Sequence, residues 1–172
     1  MKPSYLDVVN QLALLRLLAE FDPIVIGTPP LGIATPLSDI DIACSAPDFD
    51  RFADVARRSF GEMKSFSIRT PNHLPDPAII ASFCAMGWEI EIFCQEIATE
   101  VQWGVRHFRI EERLLALRPQ LRERIVDLKR GGMKTEPAFA RILGLTGDPY
   151  EALLELEDLS DAQLEYLLDA PI

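Results

Sequence analysis

Basic residues are scarce in this chain: 17 Lys and Arg stand against 27 Asp and Glu, a formal net charge of −10 at pH 7. Nonspecific binding to DNA or RNA depends on basic surface that displaces counterions from phosphates. The balance therefore argues against a general nucleic-acid binder and favours a small-molecule or protein partner. Long apolar runs are missing too, and none is long enough for a membrane-spanning helix. The opening Met1-Lys2-Pro3-Ser4 lacks the basic and apolar regions of a secretory signal, so the expected location is cytoplasmic with no membrane contact. Cysteine is sparse: Cys44, Cys84 and Cys94 form an odd set, each in or beside an apolar segment and none in a paired metal-ligand spacing. They read as buried free thiols. Low-complexity tracts, repeats and flexible linkers are absent as well.

What remains is ample for a core, since 172 residues at 48% hydrophobic content fall near the common domain size. The pattern predicts a helix over 5–21 with Ser4 as its cap, strands over 24–27 and 39–44, and a helix over 49–60 capped by Asp48. Strands follow over 65–69, 78–84 and 88–94, the last two joined by a tight Met86-Gly87 hairpin. From 99 onward the signal turns helical, over 99–117, 119–130, 136–143, 149–157 and 161–168, with breaks at Gly131-Gly132, Gly144 and Gly147. The expected architecture is α+β: a mixed β-sheet with flanking helices over 1–98, followed by a C-terminal helical subdomain over 99–172 that packs on it.

The chemistry concentrates in the first half. The apolar run Ile24-Val25-Ile26 ends at Gly27, where backbone amides can approach a ligand with no side chain between, and Thr28 adds a hydroxyl. Ten residues on, in Ser38-Asp39-Ile40-Asp41-Ile42, the period-2 alternation of a strand sends Asp39 and Asp41 to one face and the isoleucines to the other. Two adjacent carboxylates form a hard-oxygen site suited to Mg²⁺ arriving with a nucleoside triphosphate. In Trp88-Glu89-Ile90-Glu91-Ile92 the same alternation pairs Glu89 with Glu91, opposite Trp88, Ile90 and Ile92. If that strand lies beside the first, three acids converge. Each piece alone also fits an ordinary half-exposed strand. Their order along the chain points to a site.

Gly27-Thr28, Ser38-Asp39-Ile40-Asp41-Ile42 and Glu91 in a later strand together resemble the three-part signature of the nucleotidyltransferase superfamily, the DNA polymerase beta-like fold. The segments Gly87 to Phe93, Lys129 to Phe139 and Gly147 to Leu154 resemble an uncharacterised bacterial family within that superfamily. The resemblance implies a nucleotidyltransferase-like sheet and a Mg²⁺-dependent transfer of a nucleoside monophosphate from a nucleoside triphosphate to a small-molecule or protein hydroxyl. A noncatalytic nucleotide- or partner-binding module of antitoxin type on the same fold is the alternative. It further implies that Gly27 and Thr28, with Ser38, seat the triphosphate. Asp39 and Asp41 would hold metal, and Glu91 would complete the site and assist deprotonation, with Glu89 of the same parity as the other candidate. Thr28 stands where the superfamily more often has Ser. The loop over 29–37, with Pro29, Pro30, Leu31, Ile33, Pro36 and Leu37, is unusually apolar beside a charged ligand, as for a lid or a contact to a nonpolar acceptor.

In the helical half the charge is uneven, with bases gathered over 106–141 and acids without bases over 148–169. Gln102, Arg106, Arg109 and Arg113 share one helical face, and Trp103, His107, Ile110, Leu114 and Leu117 another. The Arg stripe fits a solvated face or a phosphate contact. His107 fits a hydrogen-bonded packing residue or a group in the cleft, and His73 lies in a Pro-rich loop. Lys129, Arg130 and Lys134 surround Gly131-Gly132, a basic turn that can close on an anion, and Lys134 is the expected phosphate contact. Thr135 fits the cap of the next helix. The leucine-rich acidic end packs on the helical half or forms a homodimer seam.

Overall fold

The computed structural model describes residues 2–72, 74 and 76–169. The elements in order are α1 (Tyr5–Gln11), α2 (Leu14–Leu17), β1 (Ile24–Ile26), α3 (Thr28–Leu31), β2 (Ile40–Ser45), α4 (Phe49–Phe60), β3 (Lys64–Arg69), β4 (Ala78–Ala85) and β5 (Trp88–Gln95). They continue with α5 (Trp103–Leu117), α6 (Leu121–Arg130), α7 (Thr135–Leu143), α8 (Pro149–Leu154) and α9 (Asp161–Asp169). The chain divides into two compact units, Met1–Pro30 with Ser38–Val105, and Leu31–Leu37 with Arg106–Ile172.

The first unit is built on a five-stranded sheet ordered β1-β2-β5-β4-β3. Only the β2–β5 pairing is parallel, and the β1–β2, β4–β5 and β3–β4 pairings are antiparallel, so the sheet is mixed. The β4–β5 hairpin turns on Met86 (φ 52°) and Gly87 (φ 81°), both left-handed, as a two-residue turn matching strand twist requires. Alternation along β2 and β5 buries Ile40, Ile42, Cys44, Ile90, Ile92 and Cys94 in one core with Val8, Leu14, Leu18, Phe52 and Phe60. Phe60 stacks on Phe83 of β4 at 4.8 Å between ring centroids. Asp48 caps α4 by accepting from the amides of Asp50 and Arg51, and Ser4 caps α1 in a reciprocal capping box with Asp7.

The expected continuous helix over 5–21 is broken. Ala13 adopts φ 51°, α1 stops before it, and a 3₁₀ turn at Ala19–Phe21 follows α2. The cause is a phase conflict. At about 100° per residue, a straight helix would set the mean direction of Val8 and Val9 roughly 160° from that of Leu14, Leu18 and Phe21. All five are buried, and the left-handed residue brings both sets into one core.

The second unit has its own core, in which Ile110, Leu114, Ile125, Phe139, Ile142, Leu153 and Leu164 join Leu31 and Ile33. That accounts for much of the apolar loop: Leu31 and Ile33 are 3% and 0% exposed, and Arg122 donates to the Leu31 carbonyl at 3.0 Å. These side chains fill a core and do not wait for a ligand, whereas Leu37 is 96% exposed. The leucines of the acidic end, Leu153, Leu156 and Leu164, lie in the same core, with Leu167 and Leu168 packed against it.

The helix expected over 99–117 is also interrupted. A 3₁₀ turn covers Thr99–Val101, Gln102 is extended (ψ 141°), and α5 begins at Trp103. Gln102 therefore leaves the predicted Arg face. It is buried, donating through Nε2 to the carbonyls of Cys44 (2.7 Å) and Ile97 (3.2 Å). Among the described residues no helix is long and apolar enough to cross a membrane.

Candidate active site

Register sets the geometry of the acids. In the parallel β2–β5 ladder Asp41 lies directly opposite Glu91, with neighbouring strands about 4.8 Å apart. In the antiparallel β1–β2 ladder Ile26 lies opposite Asp41, so the chain leaving β1 passes Asp41 at once. There Gly27 has φ +82°, and a Cβ at that position would overlap the Asp41 carboxylate. Glycine is required twice over at Gly27, by its dihedral and by the close approach of the backbone to the acid. Thr28 Oγ1 donates to Ser38 Oγ at 2.9 Å, tying the two ends of the intervening loop together.

The structure thus brings Gly27, Asp41 and Glu91 together and links Thr28 with Ser38. Asp39, half-buried, precedes the first ladder residue of β2, Ile40. Glu89 lies two residues before Glu91, exposed and opposite Cys84. Lys134 is exposed at the N-cap of α7 in the second unit, and His73 falls outside the described residues. Thr135 is the first residue of α7 instead of its cap, and its hydroxyl receives a hydrogen bond from Lys129 Nζ at 2.8 Å.

A cavity of about 290 Å³ opens beside Asp41 and Glu91 within the first unit. Ile26, Ala43, Leu74, Phe93 and Trp103 give it an apolar lining, and Asp41, Asp76, Glu91, Gln95 and Gln102 supply the polar groups. Asp39 is not among the lining residues. Arg69, at the end of β3, forms an ion pair with Glu91 through its guanidinium.

Several of these residues carry little signal in the sequence. Asp76 sits in a Pro-rich loop with no periodicity, Arg69 looks like any polar residue ending an edge strand, and helical spacing places Gln102 on the arginine face that the extended backbone at 102 removes it from. The proline pair flanking 76 was the only local signal for Asp76, and it indicates a loop without indicating its direction.

Mg²⁺ bound with a triphosphate asks the protein for one or two carboxylates, the phosphates and water completing the octahedron. Asp41 and Glu91 supply two hard-oxygen groups on adjacent strands, beside a backbone turn free of side chains, and this donor set fits the ion. Among the described residues no cluster of three or more His, Cys, Asp or Glu side chains has metal-holding geometry. Asp39 lies just ahead of the strand that carries Asp41, and Arg69 pairs with Glu91.

His107, Arg106 and Arg113 have structural partners. His107 is buried, with Nε2 2.9 Å from the Tyr150 carbonyl and an edge-on contact to the Tyr150 ring. Arg106 pairs with Glu157, and Arg113 pairs with Asp161 and donates to the carbonyls of Glu157 and Leu159. The three cysteines are free. Burial pushes the Cys94 thiol up to about 12 and raises Cys44 as well, with Cys94 and Asp22 adding to the effect, so neither is a ready nucleophile.

The sequence pattern of a family described as "Domain of unknown function (DUF4269)" matches residues 7–156. No curated protein matches the chain. Among solved structures, the fold is similar to the Cid1 poly(U) polymerase with MgGTP bound, at 14% identity over 87% of this chain and 47% of that one, TM-score 0.53. It is likewise similar to Cid1 in complex with the UTP analog UMPNPP, at 14% identity over 87% and 46%, TM-score 0.54. A cytoplasmic RNA terminal U-transferase is similar at 14% identity over 95% and 46%, TM-score 0.50. The fold is therefore nucleotidyltransferase-like, and the chain spans a little under half the length of these neighbours.

Proposed function

We infer that this chain, which belongs to the DUF4269 family, is a Mg²⁺-dependent nucleotidyltransferase that moves a nucleoside monophosphate from a nucleoside triphosphate to a hydroxyl of a small-molecule or protein acceptor. The observation that carries the reading is the placement of Asp41 opposite Glu91 on adjacent parallel strands, with the Gly27 backbone against the Asp41 carboxylate. Nucleotide-bound Cid1 supports it by similarity of fold.

In this reading the amides of the Gly27-Thr28 turn and the Thr28 hydroxyl, held by Ser38, seat the triphosphate. Asp41 is the principal metal ligand, with Glu91 on the adjacent strand and Asp39 as its companions. Mg²⁺ bound there would neutralise phosphate charge and stabilise the attacking and leaving oxygens. Arg69 engages Glu91 through Oε1, leaving Oε2 to take the proton from the acceptor hydroxyl. The acceptor oxygen then bonds to the α-phosphorus as the bond from that phosphorus to the pyrophosphate oxygen breaks, and pyrophosphate departs. The test is pyrophosphate release with each of the four nucleoside triphosphates, an acceptor panel and Mg²⁺. Release by wild type that is lost in Asp41→Asn supports the reading, and equal release by both overturns it.

The pairing of Arg69 with Glu91 favours one other reading, a noncatalytic nucleotide- or partner-binding module in which the third acid is neutralised. That reading predicts metal-dependent nucleotide binding without turnover.

A further inference from the structure

The sheet face that carries the acids continues beyond them, row by row. Along β5, Glu91, Phe93 and Gln95 alternate with the core residues Ile90, Ile92 and Cys94, so all three share the cavity side of the sheet. Their partners across the parallel ladder are Asp41, Ala43 and Ser45. Because β1 runs antiparallel to β2 with Ile26 opposite Asp41, the Gly27-Thr28 turn lies to one side of the acids and the Phe93 and Gln95 rows to the other. Gln95 is four residues beyond Glu91, about 13 Å along the strand. Between them the floor is apolar, formed by Ala43 and Phe93, and Trp103 at the start of α5, 48% exposed, adds an indole to the lining. Gln95 itself is 7% exposed. Among the described residues its side-chain amide has no hydrogen-bond partner, and neither amide atom is sealed from the surface. Strand parity and that accessibility direct the amide into the cavity, where an unmatched donor and acceptor favour a ligand that pairs with both.

A nucleoside triphosphate has its phosphates at one end, its ribose next and its base last. With the outer phosphates at the Gly27-Thr28 turn and the α-phosphate at Asp41 and Glu91, the nucleoside continues on the far side of the acids, where the cavity opens. We propose that this cavity is the nucleoside subsite: the base stacks against Trp103 beside the Ala43 and Phe93 floor, and the Gln95 amide meets its edge. The direction of the triphosphate rests on the nucleotidyltransferase reading. In this arrangement the carboxylates serve the metal, and neutral groups recognise the nucleoside. An indole face takes any base by stacking. The Gln95 amide adds selectivity, since it presents one donor and one acceptor side by side, the pattern by which such amides pair with adenine.

The test compares the four nucleoside triphosphates with inorganic tripolyphosphate, which lacks the nucleoside, on the full chain with Mg²⁺, by calorimetry and tryptophan fluorescence. The preferred nucleotide should bind at least about tenfold more tightly than tripolyphosphate and change the emission, whereas tripolyphosphate should not change it. Trp103→Phe should keep most of the affinity and abolish the emission change, because the other tryptophan, Trp88, is 8% exposed and donates its Nε1 to the Pro3 carbonyl. Trp103→Ala should weaken the nucleotide about tenfold and leave tripolyphosphate unchanged. Gln95→Leu, checked by circular dichroism, should weaken the preferred nucleotide about tenfold and narrow the spread among the four, again with tripolyphosphate unchanged. If the Gln95 variant does not fold, the Trp103 pair decides. Tripolyphosphate binding as tightly as every nucleotide, or full nucleotide affinity in folded Trp103→Ala, would overturn the proposal and leave the triphosphate site standing. Equal losses of nucleotide and tripolyphosphate in that variant would overturn it as well. No Mg²⁺-dependent binding of either probe to folded wild type would remove the transferase reading and the nucleoside subsite together.

Discussion

Charge is arranged differently along the helical unit and around the cavity of the sheet unit. In the helical unit three arginines of the basic stretch pair with the acidic end: Arg106 with Glu157, Arg113 with Asp161 and Arg118 with Asp169. In the sheet unit Asp41, Asp76 and Glu91 collect on one cavity, and Arg69 pairs with Glu91. The same contrast holds for buried polar atoms. Among the described residues Gln102 Oε1 and Glu111 Oε1 find no hydrogen-bond partner; Gln102 is among the residues lining the cavity, while Glu111 lies on α5, influenced by Glu136 and Lys129. Charge that the fold answers internally marks architecture. Charge gathered against like charge at a cavity marks a place for a ligand.

The contrast breaks most sharply at Asp41. Asp41→Asn should lower nucleotidyl transfer by about a hundredfold or more, with the thermal midpoint held or raised, because removing one of several neighbouring carboxylates relieves repulsion. A pyrophosphate-release assay beside a melting curve checks both halves. Next comes Gly27→Ala, which forces a side chain into a left-handed dihedral and onto the Asp41 carboxylate. It should cost about 1–3 kcal/mol in urea unfolding and weaken nucleotide binding together with stability.

The helical unit supplies a pH test. Burial raises the Glu111 carboxyl well above its ordinary 4.5, with Glu136 adding to the effect and Lys129 opposing it. The folded state therefore holds a proton that the unfolded chain releases. This contribution is fully present below about pH 4.5 and is lost as pH rises through the folded-state value. Glu111→Gln should gain stability relative to wild type as pH rises from 5 to 8, measured by urea unfolding, with nucleotide binding unchanged. The smallest effect is expected at the Arg106–Glu157 pair, which is partly exposed: Arg106→Met should cost about 0.5–1 kcal/mol. A large loss of nucleotide affinity in that variant would show that the arginine stripe has work beyond holding the acidic end.

Much of the sheet unit was legible before any coordinates. Strict alternation in Asp39 to Ile42 and in Trp88 to Ile92 forecast which residues face the core, and Met86-Gly87 forecast the hairpin that sets the register of β5 against β4. What alternation cannot convey is which strands are neighbours or how a register aligns, so the opposition of Asp41 to Glu91 rather than Glu89 emerged only from the β2–β5 ladder. The helical misreadings share a cause. Periodicity read over a long window passes through Ala13 and Gln102 because neither is Gly or Pro, yet burial of residues on both sides of each break decided the backbone there. Leu31 and Ile33 looked like oddities of a loop because their core is formed by helices about a hundred residues further along the chain.

The central claim, a metal-dependent triphosphate site on Gly27, Thr28, Asp39 and Asp41, is tested most directly by isothermal calorimetry. Wild type and the Asp39→Asn/Asp41→Asn double variant would be titrated with each nucleoside triphosphate, with and without Mg²⁺. The account predicts binding heat that requires Mg²⁺ and vanishes in the double variant while its fold persists. Binding that is indifferent to both carboxylates, or no heat from any nucleotide with folded wild type, would contradict it.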